Sequence, residues 1–215
     1  MNEFEILMEK ILTVFAGPSF QEELNKSKKF FFESTVPNEE NPELFDQRMS
    51  QFFDWYFFSR ELGGFGQTPL DVCENSRELR FSPEELVALQ SMRRHRHSIF
   101  QFIKLKGEDI HIKDLLRNEK LVVKKSRQIF GFDTEEFFEA RLIPTGDSYV
   151  FSRGFCFHPA SAQKYILAEV KKHKKNPDLD PEDLLLRLIK MRYKFEQYRH
   201  VKPELIYSEN SKVGI

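Results

Sequence analysis

Cys156 and His158 lie two residues apart in Phe155-Cys156-Phe157-His158, a stretch with the alternation of a β-strand. Period two sets both on one face, where an imidazole beside a thiol could generate a nucleophilic thiolate. A working pair also needs a third group to orient the base, and none is evident in the sequence. The spacing is read as two strand residues that pack, and no catalytic residue is assigned. His95-Arg96-His97 could suggest a metal site, but Arg93, Arg94 and Arg96 surround the two histidines and no carboxylate is near in sequence. The plainer reading is the solvated C-terminal end of a helix, where cations suit the macrodipole. No metal ligand or cofactor is expected. Gly63-Gly64-Phe65-Gly66 joins two helices; a phosphate-binding loop would follow a strand and end in Gly-Lys-Ser/Thr.

Three basic clusters carry more interest together. Arg93, Arg94 and Arg96 end the helix that enters a β-rich region, and Lys171, Lys172, Lys174 and Lys175 end the helix that leaves it. Lys124, Lys125 and Arg127 lie within that region. If entry and exit share one side, Arg93, Arg94, Arg96, Lys124, Lys125, Lys171, Lys172, Lys174 and Lys175 form a candidate binding patch, and small barrels do bind nucleic acid. Against that reading, stacking aromatics are not interleaved with the cations, and a charge run at a helix end is usually just solvated.

The balance of the whole chain gives these clusters no help. Its 33 Lys and Arg against 34 Asp and Glu leave a formal charge of −1, which removes any global attraction to nucleic acid or anionic membrane. A 40% hydrophobic and 31% charged composition over 215 residues suits a globular chain with a real core. Two cysteines without zinc spacing point to a reducing compartment. The acidic start Met1-Asn2-Glu3-Phe4-Glu5 lacks the form of a signal peptide, and no run nears the ~18 apolar residues of a membrane span. Cytoplasmic residence is the expectation, with no membrane partner. The 23 phenylalanines sit mostly at core-facing spacings and read as core rather than as a sticky surface.

The elements that must position these residues follow from pattern and capping. Phe4, Leu7, Met8, Ile11, Leu12 and Phe15 share a helical face, with Asn2 and Glu5 at capping-box spacing and Gly17-Pro18 as the stop. Ser19 and Glu22 could cap a second helix to about Glu33, and Ser34–Asn41 reads as a loop. Asn41-Pro42 starts an aromatic helix whose apolar residues spread around it from Phe52 to Phe58, the mark of a central helix. Thr68-Pro69-Leu70-Asp71 and Ser82-Pro83-Glu84-Glu85 each offer a hydroxyl cap, proline at the first helical position and an acid two residues later; Leu86 and Leu89 are expected to face inward. From Ser98 the period changes to two. Strands are predicted over 99–106, 110–113, 121–123, 138–143 and within 148–157, with turns at Gly107 and at Thr145-Gly146-Asp147. Helix returns after Pro159 with Ile166, Leu167 and Val170, and again at Asp180-Pro181-Glu182-Asp183.

Phe52-Phe53-Asp54-Trp55-Tyr56-Phe57-Phe58 followed by Gln67-Thr68-Pro69-Leu70-Asp71 resembles a signature of uncharacterised bacterial proteins. These have an aromatic helix with a Glu/Asp-Trp pair, a Thr-Pro-Leu-Glu-like step and a small β-module similar to Gly107 through Val123 and Ala140-Arg141-Leu142-Ile143-Pro144 here. The resemblance covers roughly residues 45 to 158 and implies architecture, not activity. Some members carry a terminal SEC-C zinc motif; this chain has no cysteine-rich tail to match it. Asp71 fits a helix-capping acid and needs no catalytic role.

The expected fold is α+β: a helical region over 1–97, a small SH3-like five-stranded β-barrel over 98–158, C-terminal helices over 159–200 and a flexible tail over 201–215. The expected function is non-enzymatic binding or adaptor activity through protein–protein contacts. The alternative is nucleic-acid binding by the basic patch.

Overall fold

A computed structural model describes residues 2–32, 42–126 and 136–209. The chain forms two compact units, one of Met1–His95 with Ile143–Thr145 and Ser152–Gly154, the other of Arg96–Leu142, Gly146–Phe151 and Phe155–Ile215.

The first unit is helical. Helix α1 (Glu3–Phe15) has the reciprocal Asn2–Glu5 capping box and buries Phe4, Leu7, Ile11 and Phe15. Among the described residues Ser19 makes no capping bond; it lies within a 3₁₀ turn, Pro18–Phe20, that runs straight into α2 (Gln21–Phe32). The predicted loop Ser34–Asn41 and the Asn41 cap lie outside the described residues. Helix α3 (Pro42–Phe58) is central, with Phe52, Tyr56 and Phe57 fully buried. Phe31 and Phe52 meet edge to face at 5.6 Å, and Tyr56 Oη donates to the Phe15 carbonyl at 2.7 Å. That bond answers the polar end of a ring the core would otherwise strand. Capping boxes at Thr68–Asp71 and Ser82–Glu85 start α4 (Pro69–Val72) and α5 (Pro83–Arg93). On α5, Leu89 and Met92 face inward, whereas Leu86, expected inward, is exposed.

The second unit is a curled antiparallel sheet with helices on one face. Its strands are β1 (Arg96–Lys106), β2 (Asp109–Asp114), β3 (Glu119–Val123), β4 (Phe137–Thr145), β5 (Ser148–Phe151) and β6 (Cys156–His158). Their order is β3-β2-β1-β4-β5, with β6 also on β4. Gly107 and Gly146 turn the chain with φ of 63° and 56°, the left-handed region open to glycine. The end strands are joined not by a ladder but by the Lys124 N–H, which donates to Ser148 Oγ at 2.8 Å. The result is a half-barrel. Inside it pack Phe100, Phe102, Phe138, Ala140, Leu142 and Phe151.

The other face of the sheet meets α6 (Gln163–Lys175), α7 (Pro181–Gln197) and α8 (Pro203–Ile206). Ile99 and Phe137 join Ile166, Val170, Leu185 and Leu188 in a second core. Within the stretch expected to be loose from Val201, the described residues 201–209 include α8, and Ile206 and Tyr207 are buried in that core. Leu167, grouped in the sequence with Ile166 and Val170, points to solvent at 47% exposure.

Candidate functional site

Strand β4 is buried along both faces, so its alternation Phe138-Glu139-Ala140-Arg141-Leu142 does not separate core from solvent. Even-numbered residues fill the half-barrel, while Glu139 and Arg141 face the helices and are 2% and 0% exposed. His97 stands opposite Arg141 in the β1–β4 register, and its residue is buried too. One ring nitrogen, Nε2, pairs with Glu139; the other, Nδ1, lies 2.7 Å from Glu182 Oε1 in the first turn of α7. Arg141 donates to the second oxygen of Glu182 at 3.3 Å. Two cations thus face two carboxylates.

Burial, and then the neighbouring Arg141, push the His97 imidazole toward neutrality; Glu182 and Glu139 outweigh both and hold its pKa at about 9. The ring is therefore an imidazolium clamp between a central strand and the start of a helix. Protonated on both nitrogens and facing a carboxylate with each, the ring has no lone pair to offer a metal. The reading of His97 as part of a solvated helix end does not hold: α5 stops at Arg93 and His97 lies inside a strand. His95 packs against Phe58 with ring centroids 4.7 Å apart and planes tilted by 58°, and its Nδ1 lies 2.9 Å from the Met92 carbonyl.

Cys156 and His158 do share a face of β6, opposite Glu139 and Phe137. Both are buried. Burial, and then Glu139, raise the Cys156 thiol well above its ordinary pKa, against the nearby Arg192. Burial and Arg192 lower His158 to about 3, so it is neutral at neutral pH. His158 Nδ1 is 3.0 Å from Tyr207 Oη, and burial pushes that phenol up as well. This environment suppresses thiolate formation, the reverse of what a cysteine nucleophile requires.

The candidate basic residues divide by partner. Arg93 pairs with Glu74 at 2.9 Å and donates to the Leu70 carbonyl; Arg94 reaches Ser91 Oγ at 3.4 Å. Arg96 lies between Asp114, at 3.6 Å, and Glu119. Lys124 pairs with Asp147, and Lys172 with Glu169 and Glu209, hydrogen bonds that raise the Lys172 pKa. Lys125, Lys171, Lys174 and Lys175 are exposed and carry no ion pair among the described residues. Arg127 lies outside them.

A model described as a family of unknown function, DUF7986, matches residues 19–186. The chain belongs to this family. The DUF7986 match runs from before α2 to the first turns of α7, and so takes in His97, Glu139, Arg141, Cys156, His158 and Glu182, but not Tyr207. It also reaches well beyond the stretch from 45 to 158 on which the sequence resemblance rested. No curated protein and no solved structure matches the DUF7986 chain.

Sequence reasoning missed Glu139, Arg141 and Glu182 in this DUF7986 protein. One signal was present. A strand of nine residues rich in apolar side chains suits a central place in a sheet, where charged residues of opposite sign at alternate positions must be covered and paired.

Proposed function

We propose that this DUF7986 protein is a non-enzymatic binding or adaptor protein that acts through protein–protein contacts. The observation that carries the reading is where its reactive groups lie. Cys156, His158 and His97 are turned into the interior and bound or masked there. What faces solvent is a mixture of lysines, carboxylates such as Glu22, Glu84 and Glu108, and isolated apolar side chains, among them Val87 at 68% and Leu205 at 58% exposure. Such a mixed surface suits recognition, and both cysteines, His97 and His158 lie beneath it. We further propose that the half-barrel is SH3-like, and that the protein works in the cytoplasm, as its two free, buried cysteines suggest. Among the described residues no helix is long and apolar enough to cross a membrane.

Nucleic-acid binding is the second reading, favoured by the lysines at 125, 171, 174 and 175 that lack carboxylate partners among the described residues. In-cell cross-linking of the full chain, with identification of what is attached and where, separates the two. Reproducible cross-links to particular proteins are expected. Cross-links chiefly to nucleic acid, together with duplex affinity that falls steeply with salt, would replace the first reading by the second.

A further inference from the structure

Helix α6 buries Ile166, Glu169 and Val170 and leaves the opposite side to water. At 3.6 residues per turn, Lys164, Leu167, Ala168, Lys171, Lys174 and Lys175 fall within one arc of about 120° on that side. All six are exposed. The arc holds no acid, and the side chains of its four lysines make no hydrogen bond or ion pair among the described residues, although Lys172 on the flank is tied to Glu169 and Glu209.

A solvated helix end does not account for the arrangement. Lys164 is the second residue of α6, at the positive end of the helix dipole, where a cation opposes helix formation. Leu167, 47% exposed, sits among the lysines rather than in the core beside Ile166. Cations spread over the whole length of the helix, with an open leucine between them, suit a ligand with complementary charge and an apolar group of its own.

We infer that this face of α6 docks an acidic amphipathic segment of a partner protein. The inference rests on the proposed protein-binding function and names its partner chemistry. From Lys164 to Lys175 the face runs about 16 Å, three turns of helix. A matching segment carries Glu or Asp at helical spacing around one or two leucines or like residues. A nucleic-acid backbone would meet the lysines and leave Leu167 without a role.

The test is fluorescence anisotropy of the full chain with a labelled 15-residue helical peptide carrying glutamates on one face around two leucines. A scrambled peptide of equal composition, a DNA duplex and vesicles of phosphatidylserine and phosphatidylcholine serve as further probes. Expected is binding that favours the ordered peptide. The combined substitutions Lys171→Glu, Lys174→Glu and Lys175→Glu should weaken it about tenfold or more at low salt, and Leu167→Asp should weaken it when introduced alone. A peptide with lysines in place of glutamates should then bind the triple variant, which a folding defect would not allow. Equal binding of the scrambled peptide, or tighter binding of the duplex or the anionic vesicles, would overturn the inference. So would an unaffected triple variant. If the peptide fails while in-cell protein cross-links persist elsewhere, the docking face is wrong and the protein-binding reading stands; if both fail, both fall.

Discussion

His97 is an ordinary-looking histidine in a basic stretch, and its neighbours in space make it a permanent cation at neutral pH. Glu139 is distant by 42 positions and Glu182 by 85, and the sheet and α7 bring both to one ring. An NMR titration of the imidazole signals should show His97 still protonated until about pH 9 and His158 neutral down to about pH 3. His97 and His158 titrating together near 6.5 would refute both environments. Arg141, fully buried, balances the carboxylates, so Arg141→Met should cost about 3–5 kcal/mol in denaturant unfolding because it leaves buried charge unmatched. Gly154 is a different case. A Cβ there would lie 2.7 Å from Asp54 Cβ and 2.8 Å from its Cγ, so Gly154→Ala should destabilise by about 1–3 kcal/mol. Thermal unfolding measures this; an unchanged midpoint would mean that the Asp54 helix yields freely. None of these contacts could be read from local sequence, because each is made by residues far apart along the chain.

Elements were more legible than contacts, and the reason is that their signals are local. Asn2–Glu5, Thr68–Asp71 and Ser82–Glu85 each close the capping box that their spacing predicts. The strands around Gly107 and Gly146 follow from period two and turn chemistry. What failed was the assignment of faces where periodicity is weak: Leu86 and Leu167 turn outward, and the polar residues of β4 turn inward. The tail beyond Val201 looked polar, yet Ile206 and Tyr207 supply enough apolar surface to anchor a one-turn helix. The clamp also has a consequence for α7. Its first turn is held by the Asp180 cap, which accepts from the Glu182 N–H at 2.9 Å, and by the Glu182 carboxylate on His97 and Arg141. Glu182→Gln removes the charge but keeps the shape. Amide hydrogen exchange in residues 182–186 should then speed up relative to the rest of α7, and equal exchange would show that the cap alone holds the turn.

For the whole molecule, the two histidines bend stability in opposite directions. His97 has a folded pKa of about 9 against an ordinary 6.5, so its contribution is full below 6.5 and is lost as pH rises through 9. His158, at about 3 in the folded protein, contributes above 6.5 and loses that contribution as pH falls toward 3. Unfolding free energy should therefore peak near neutrality and decline on both sides, on the order of a few kcal/mol at each end. His97→Gln should flatten the alkaline limb, which denaturant titration between pH 6 and 10 would reveal. The same burial that sets these slopes removes Cys156, His158 and His97 from service as reagents, and the outer face of α6, with four lysines that lack a carboxylate partner among the described residues, is the surface proposed to dock a partner.

The most direct measurement of that claim is amide hydrogen exchange of the full chain with and without the glutamate–leucine peptide. Slowed exchange confined to 163–175 is the expected result. No protection there, or protection centred on another surface, would contradict a protein-docking role for α6.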